Sequence, residues 1–532
     1  MAEQHIYIDS GADPGGDGSY GSPYDLPGDI NWTTGGANSI FDWVAAGHDP
    51  FINFAGGSSY TSGLWIGTSG VEGHPITVQP YGSGDKPSFS KATSPVVSLW
   101  QKSYIDFDEL EFNVGDDDDK AFYGNIVHHI NLTNSNFPAG TGKGAVFRAA
   151  NGTDVHHINV LGCTFDQLTS APVMFNMEEG AGGGEEEATF RQIRVANNRI
   201  TDCWSGVEFV DVDEWARVND CSPYDIDIDS NYINKTTRYW IRIRTGTREG
   251  YANYIRRNEC YDSSTVEQAD VNAFQLSWVR DLIIEENYLD GVVTDDPDGC
   301  AIILDWGYKV NECLSNNCTV RRNRITGCLS TWAGKGITIY KGTNCKVYEN
   351  LCWNNGANFK IASAESTGNV FYNNVGYAAT RRNVEVSGGA AASIWKNNIL
   401  HTAPYGMYIT PDATAPTEEN NCLYNHSTAD MWLVGTGSQT PHATDVLADP
   451  KMVNPANNIY KLNSDSPCID AGVDVGLTED FDKRPVPQNE IPDIGAYEYG
   501  GVEAEMLLPV FAVWKRCWTV PEVFDFGSET VN

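Results

Sequence analysis

The chain has 532 residues, with 35 Lys plus Arg against 71 Asp plus Glu and a formal net charge of −36. That surplus excludes nucleic acid and anionic membrane as general partners, because both are held by neutralising phosphate with Lys and Arg. A hydrophobic content of 41%, with 15 Trp, 25 Tyr and 20 Phe, supplies a core, and 52 Gly with only 20% charged residues excludes a disordered chain.

The first residues, Met1 to Ile8, carry neither a basic n-region nor an apolar h-region, and no run of about 18 apolar residues occurs. Neither a signal peptide nor a membrane span is expected in the sequence given. The 13 cysteines form no paired zinc spacing, since Cys313 and Cys318 lack a matching second pair. Cys163, Cys260, Cys300 and Cys352 sit in apolar, strand-like runs, which predicts buried free thiols and points to assembly in a reducing compartment.

From Phe107 onward one pattern recurs: an apolar residue, two variable residues, Asn, one variable residue, then another apolar residue. It reads Val195 to Ile200 around Asn198, then continues around Asn231, Asn258, Asn287, Asn323, Asn350, Asn373 and Asn397. Degenerate copies around Leu110, Ser135 and Cys163 extend it backwards. The apolar positions alternate, so the copies are strands, and a variable period of 23 to 36 residues predicts a parallel β-solenoid. The Asn is expected at a tight turn, tolerating left-handed backbone and bonding its equivalent one coil away.

A second strand in each coil aligns by its own alternation, as in Gly206 to Asp211, Trp240 to Arg244, Ala273 to Ser277, Ala301 to Asp305 and Gly336 to Lys341. Its alternate residues are expected to point outward and stack into columns. One column reads Glu208, Arg242, Gln275, Ile303, Thr338, Lys360, Glu385 and Tyr408; the next reads Val210, Arg244, Ser277, Asp305, Tyr340 and Ala362.

The stretch from Ile6 to Tyr24, with Gly73 to Gly82, resembles the first coils of right-handed parallel β-helix proteins of the pectate-lyase-like superfamily. The stretches Ser466 to Gly472 and Asp493 to Tyr499 look like the end segment of bacterial and viral members. The resemblance implies an all-β fold, a right-handed parallel β-helix of roughly a dozen coils with a C-terminal extension. Residues 1–100 are then an N-terminal cap with the first coils, 101–415 the central helix, 416–500 the final coils and end segment, and 501–532 an attachment or oligomerisation segment. It further implies a polysaccharide as partner and a function of phage tailspike or fibre type. Such a protein would bind and degrade a cell-surface or extracellular glycan, by β-elimination or by hydrolysis. The alternatives are a non-enzymatic structural or adhesive virion protein and a free secreted polysaccharide lyase. The resemblance also implies a homotrimer located on a virion or outside the cell, with other virion proteins meeting 501–532.

Candidate residues follow from the columns. For elimination, a cation neutralises a uronate carboxylate and a base removes the adjacent proton. Arg242 and Arg244 are the expected clamp, Lys341 or Lys360 the base and Tyr340 the proton donor. For hydrolysis, two carboxylates flank the bond, and Glu208, Asp211 and Asp305 are available. Gln275, Trp240, Trp306 and Tyr408 are candidates for substrate contact, the aromatics as stacking platforms, with Trp278 and Trp332 read similarly. Asp116, Asp117, Asp118 and Asp119 form an oxygen-rich string suited to Ca2+; no other cofactor is expected. The pairs His128–His129 and His156–His157 fall at equivalent places in neighbouring coils. Alternation along a strand would send each pair's side chains to opposite faces, so a stacked polar ladder is expected there.

Overall fold

The computed structural model describes residues 3–91, 95–114, 120–140, 142–150, 152–177, 188–211, 222–265, 272–294, 299–305, 314–330 and 334–500. It is a right-handed parallel β-helix, as the resemblance implied. Each coil contributes to three parallel ladders. The first runs through 15 strands, from Glu3–Ile8 to Thr417–Glu419. The second begins just after the Asn turn, in strands such as Arg199–Thr201, Tyr232–Asn234 and Tyr288–Thr294. The third holds the predicted outward columns, in strands such as Val207–Asp211, Ile241–Ile243, Asn272–Ser277, Cys300–Asp305, Lys335–Tyr340, Ala357–Ala362 and Arg382–Ser387.

Period-two alternation explains the packing. In the first ladder Ile105, Ile130, Ile158, Ile193 and Ile226 align coil over coil and are buried. In the third, Phe147, Phe175 and Phe209 stack with ring centroids 5.4 and 4.5 Å apart. Burying each such side chain stabilises the fold by about 1.5–3 kcal/mol. Because every ring or branched chain rests on its equivalent, no long-range jigsaw is needed. All ten described cysteines are free and buried, including Cys163, Cys260, Cys300 and Cys352.

The Asn turn divides its two expected duties between neighbouring residues. A continuous side-chain ladder runs Asn198, Asn231, Asn258, Asn287, Asn323, Asn350, Asn374, Asn398 and Asn421, with each Nδ2 donating to the next Oδ1 at 2.9–3.0 Å. The left-handed backbone belongs to the residue before it, such as Arg257 at φ 54°, Glu286 at 58° and Glu349 at 54°. Asn373 and Asn397, expected in the ladder, take this left-handed place instead, at φ 50° and 57°. Each is followed by a second Asn, and the one-residue slip is invisible in an Asn-Asn doublet. At the C-terminal end Asn421 donates its backbone N–H to Asp445 at 2.8 Å and its Nδ2 to Glu418 at 3.3 Å. Burial and the adjacent Glu418 carboxyl push the Asp445 carboxyl upward.

At the N-terminus a short helix, Ile40–Ala45, is capped by the Ser39 hydroxyl and buries Ile40 and Val44. The end segment folds back on the outer side of the second ladder. Met452, Tyr460, Leu462, Phe481 and Ile494 pack there with Leu351, Trp353, Val375 and Ile399. Three buried carboxylates hold this segment by accepting backbone N–H groups: Asp480 from Asp482, Arg484 and Glu498, Asp493 from Asp470 and Tyr499, and Glu498 from Gln488 and Asp493. Residues Met1–Tyr499 form one compact unit; 501–532 lie outside the described residues.

Candidate functional site

The third ladder reproduces the first predicted column residue for residue. Glu208 pairs in register with Arg242, Arg242 with Gln275, Gln275 with Ile303, Ile303 with Thr338, Thr338 with Lys360, Lys360 with Glu385 and Glu385 with Tyr408. In the second column Ser277 aligns with Asp305 and Tyr340 with Ala362. Arg242 and Arg244 alternate with the buried Ile241 and Ile243 and so share the outward side.

Two charged groups stand on this column. In the first, Arg242 Nη1 lies 3.5 Å from Glu208 Oε2, both side chains being largely buried. The guanidinium also lies 4.6 Å from the centroid of the Tyr239 ring, an electrostatic attraction to the ring face. Burial lowers the Arg242 pKa, and the Glu208 carboxylate works against that shift. In the second group, Glu385 meets Lys360 at 3.1 Å and Arg382 at 3.2 Å and accepts from the Ser387 hydroxyl at 3.1 Å. Burial pushes its carboxyl up, but Lys360 and Arg382 outweigh burial and hold it below its usual range. Arg382 in turn lies over the Tyr408 ring at 4.3 Å.

Polar atoms remain unused on this face. Among the described residues, Arg242 Nε, Gln275 Oε1, Arg238 Nε and Arg382 Nε are buried with no hydrogen-bond partner. A buried polar atom left unpaired costs about 1–3 kcal/mol, and the same state recurs elsewhere in the chain, at Asn125, Asn176 and Trp240. Arg238 lies over Trp204 and Tyr239, at 5.9 and 5.0 Å. Nearby in sequence, Asp202, Lys235, Thr236, Thr237 and Asp262 line a cleft of about 380 Å³ at the turn between the second and third ladders. The segment from Lys235 to Tyr239 therefore joins the cleft to the strand that carries Arg242.

Other predicted residues are dispersed. Lys341 is a left-handed turn residue, at φ 59°, and its ammonium lies 3.6 Å from Glu365. Tyr340 is exposed at the end of its strand. Asp305 aligns with Ser277 and accepts the Ser315 hydroxyl at its backbone carbonyl. Trp240, expected as a surface platform, is fully buried: it occupies the corner before Ile241, donates its backbone N–H to the Ala273 carbonyl and packs in the core. Trp278 sits at a left-handed turn with Arg280 over its ring at 5.1 Å. Trp306, Trp332 and Asp116 to Asp119 lie outside the described residues, as does the side chain of Asp211.

Sequence reasoning missed Arg382 and Tyr239, because each lies just outside the alternating segment that defines its strand. It missed the cleft as well. A visible signal was the polar residue four places after the Asn in three successive coils, Asp202, Lys235 and Asp262.

No protein-family model matches this chain, and no curated protein matches it. Among solved structures it is similar to the GH136 lacto-N-biosidase from Eubacterium ramulus, at 12% identity and a TM-score of 0.43, covering 83% of this chain and 68% of that one. It is also similar to PfbA, a surface adhesin of Streptococcus pneumoniae, at 10% identity and a TM-score of 0.34, over 75% of this chain and 88% of that one. A third is a tailspike protein of bacteriophage CBA120, at 10% identity and a TM-score of 0.35, over 80% of this chain and 59% of that one. At these identities and TM-scores the likenesses carry no argument about chemistry.

Proposed function

We propose that this protein is a polysaccharide-binding β-helix whose glycan lies along the outward face of the third ladder, with the 202–262 cleft beside it. The supporting observation is the column of polar and charged atoms on Glu208, Arg242, Gln275, Lys360 and Glu385, flanked by the Tyr239 and Tyr408 rings. A sugar chain presents hydroxyls or carboxylates to such atoms and an apolar ring face to Tyr and Trp.

Whether the glycan is also cleaved turns on distance. Glu208 and Asp305 stand three coils apart in the ladder register, about 14 Å at the ladder spacing. Hydrolysis needs two carboxylates no more than about 9.5 Å apart. Arg242 and Lys360 are four coils apart, about 19 Å, so the expected clamp and base do not meet on one sugar. The geometry therefore favours the adhesive reading over the depolymerase reading. One observation favours degradation by elimination: Arg242 and Arg244 project side by side from one strand, an arrangement suited to gripping a uronate carboxylate. Tailspike or fibre type, a virion or extracellular location and a homotrimer assembled through 501–532 complete the proposal.

The test is incubation with a panel of acidic and neutral polysaccharides, following the ultraviolet absorbance of unsaturated products, reducing ends and bound polymer separately. Binding without either product supports an adhesin. Unsaturated products establish the lyase, and reducing ends alone establish a hydrolase. Absence of binding across the panel, or binding unchanged in Arg242→Ala, removes the proposal.

A further inference from the structure

Away from this face, at the entry to the first ladder, four histidines form a square. His128 and His156 are register partners in adjacent coils, their rings stacked at 4.8 Å with planes 8° apart. His129 and His157 stack likewise, at 4.1 Å and 12°. The expectation that neighbours in each pair point to opposite faces fails here for a specific reason. His129 and His157 adopt left-handed backbone, at φ 52° and 53°, and this turn brings each back beside its predecessor. His128 Nδ1 lies 2.9 Å from His129 Nδ1, and His156 Nδ1 lies 2.7 Å from His157 Nδ1.

We propose that this quartet is a divalent transition-metal site, with His128, His129 and His156 as ligands and His157 as the fourth donor. Donor atoms of the first three lie within 4.8 Å of one another. Four imidazoles around Zn2+, with Zn–N of about 2.0–2.1 Å, sit about 3.3 Å apart nitrogen to nitrogen. The paired contacts are tighter than that edge, and the cross-coil contacts are somewhat wider. An all-imidazole set suits Zn2+, Cu2+ or Ni2+ over Ca2+ or Mg2+, which prefer oxygen.

The surroundings keep the rings ready for a metal. Arg191, the register partner of His156, is itself paired with Asp154 at 2.7 Å, so its charge is met by a carboxylate. On the other side Tyr104 stacks on His129 at 4.2 Å and fixes that ring's plane. A bound ion would clasp two successive coils at the point where the chain enters the first ladder.

The test uses the full chain, purified without a polyhistidine tag and stripped of metal, titrated calorimetrically with ZnCl2 and separately with NiCl2. The expected result is saturable binding of one ion per chain, accompanied by a rise in melting temperature. The His128→Asn/His156→Asn variant should weaken that affinity by about tenfold or more. The single variant His129→Asn, which keeps a residue suited to left-handed backbone, gives the same readout if the double variant fails to fold. Absence of saturable binding, or binding of equal strength in the variants, overturns the assignment.

Discussion

Replacing Asn287 by Ala removes one rung from the middle of the buried amide ladder. Asn287 accepts at Oδ1 from the Asn258 backbone N–H at 3.0 Å and from Asn258 Nδ2 at 2.9 Å. It donates from Nδ2 to Ile255 O and to Asn323 Oδ1, both at 2.9 Å. Asn323 Oδ1 keeps the Asn287 backbone N–H at 3.1 Å. What is left without a partner is therefore the Asn258 N–H and one Asn258 amide hydrogen, while the Ile255 carbonyl stays within the parallel ladder. At about 1–3 kcal/mol for each buried unpaired group, the cost is about 2–6 kcal/mol, a large part of the stability of an ordinary domain. Each coil touches only its neighbours, so the damage is local. Urea unfolding should show the loss, and hydrogen exchange read by mass spectrometry should place it in the strands Asn253–Arg256 and Tyr288–Thr294. Asn136→Ala, at a partly exposed position bonded to Lys86, serves as the control and should stay within about 0.5 kcal/mol. A loss under about 1 kcal/mol for Asn287→Ala, or loss of protection spread evenly over the chain, refutes the claim that the ladder stabilises coil by coil.

Three further outcomes are expected. Glu208→Ala strands the buried Arg242 guanidinium and should cost about 3 kcal/mol in urea unfolding, while adding Arg242→Met should restore most of it; a double variant as unstable as the single would contradict this. Burial, with His426 nearby, depresses the His401 pKa from 6.5 to about 4 against the pull of Asp449, so its share of stability is present above 6.5 and lost as pH falls toward about 4. The urea midpoint of His401→Gln should fall less steeply than the parent's over that range. Ile126 holds φ 54° although it is β-branched, and Ile126→Asn should raise stability by about 1 kcal/mol; a clear loss would show that its packing outweighs the strain.

Much of this architecture is legible because a solenoid repeats its own evidence. The register from Glu208 to Tyr408 follows from alternation alone, since one error would have sent every later side chain to the wrong face. Legibility stops where alternation stops. The slip at Asn373 and Asn397, the burial of Trp240 and the convergence of His128 with His129 all occur at turns or corners, where a single left-handed residue redirects the chain. The candidate face shows the same division. Its strand residues are predicted correctly in place, yet the groups that give it chemical character, Tyr239, Arg382 and the cleft around Lys235, come from turns and strand ends.

The amide ladder also has a direction. Every rung from Asn198 to Asn398 donates toward the C-terminal end, so the side-chain dipoles add like magnets in a row and polarise one another. The electropositive end of that row emerges at Asn421, where Glu418 and Asp445 meet it. The Asn row, which begins at Asn198 inside the solenoid, is thus polar and has chemically unlike ends. Whole coils can be inserted or deleted within it if each brings its Asn, but its terminus has to carry acid. Grafting coils from this protein onto another scaffold would work in one orientation only.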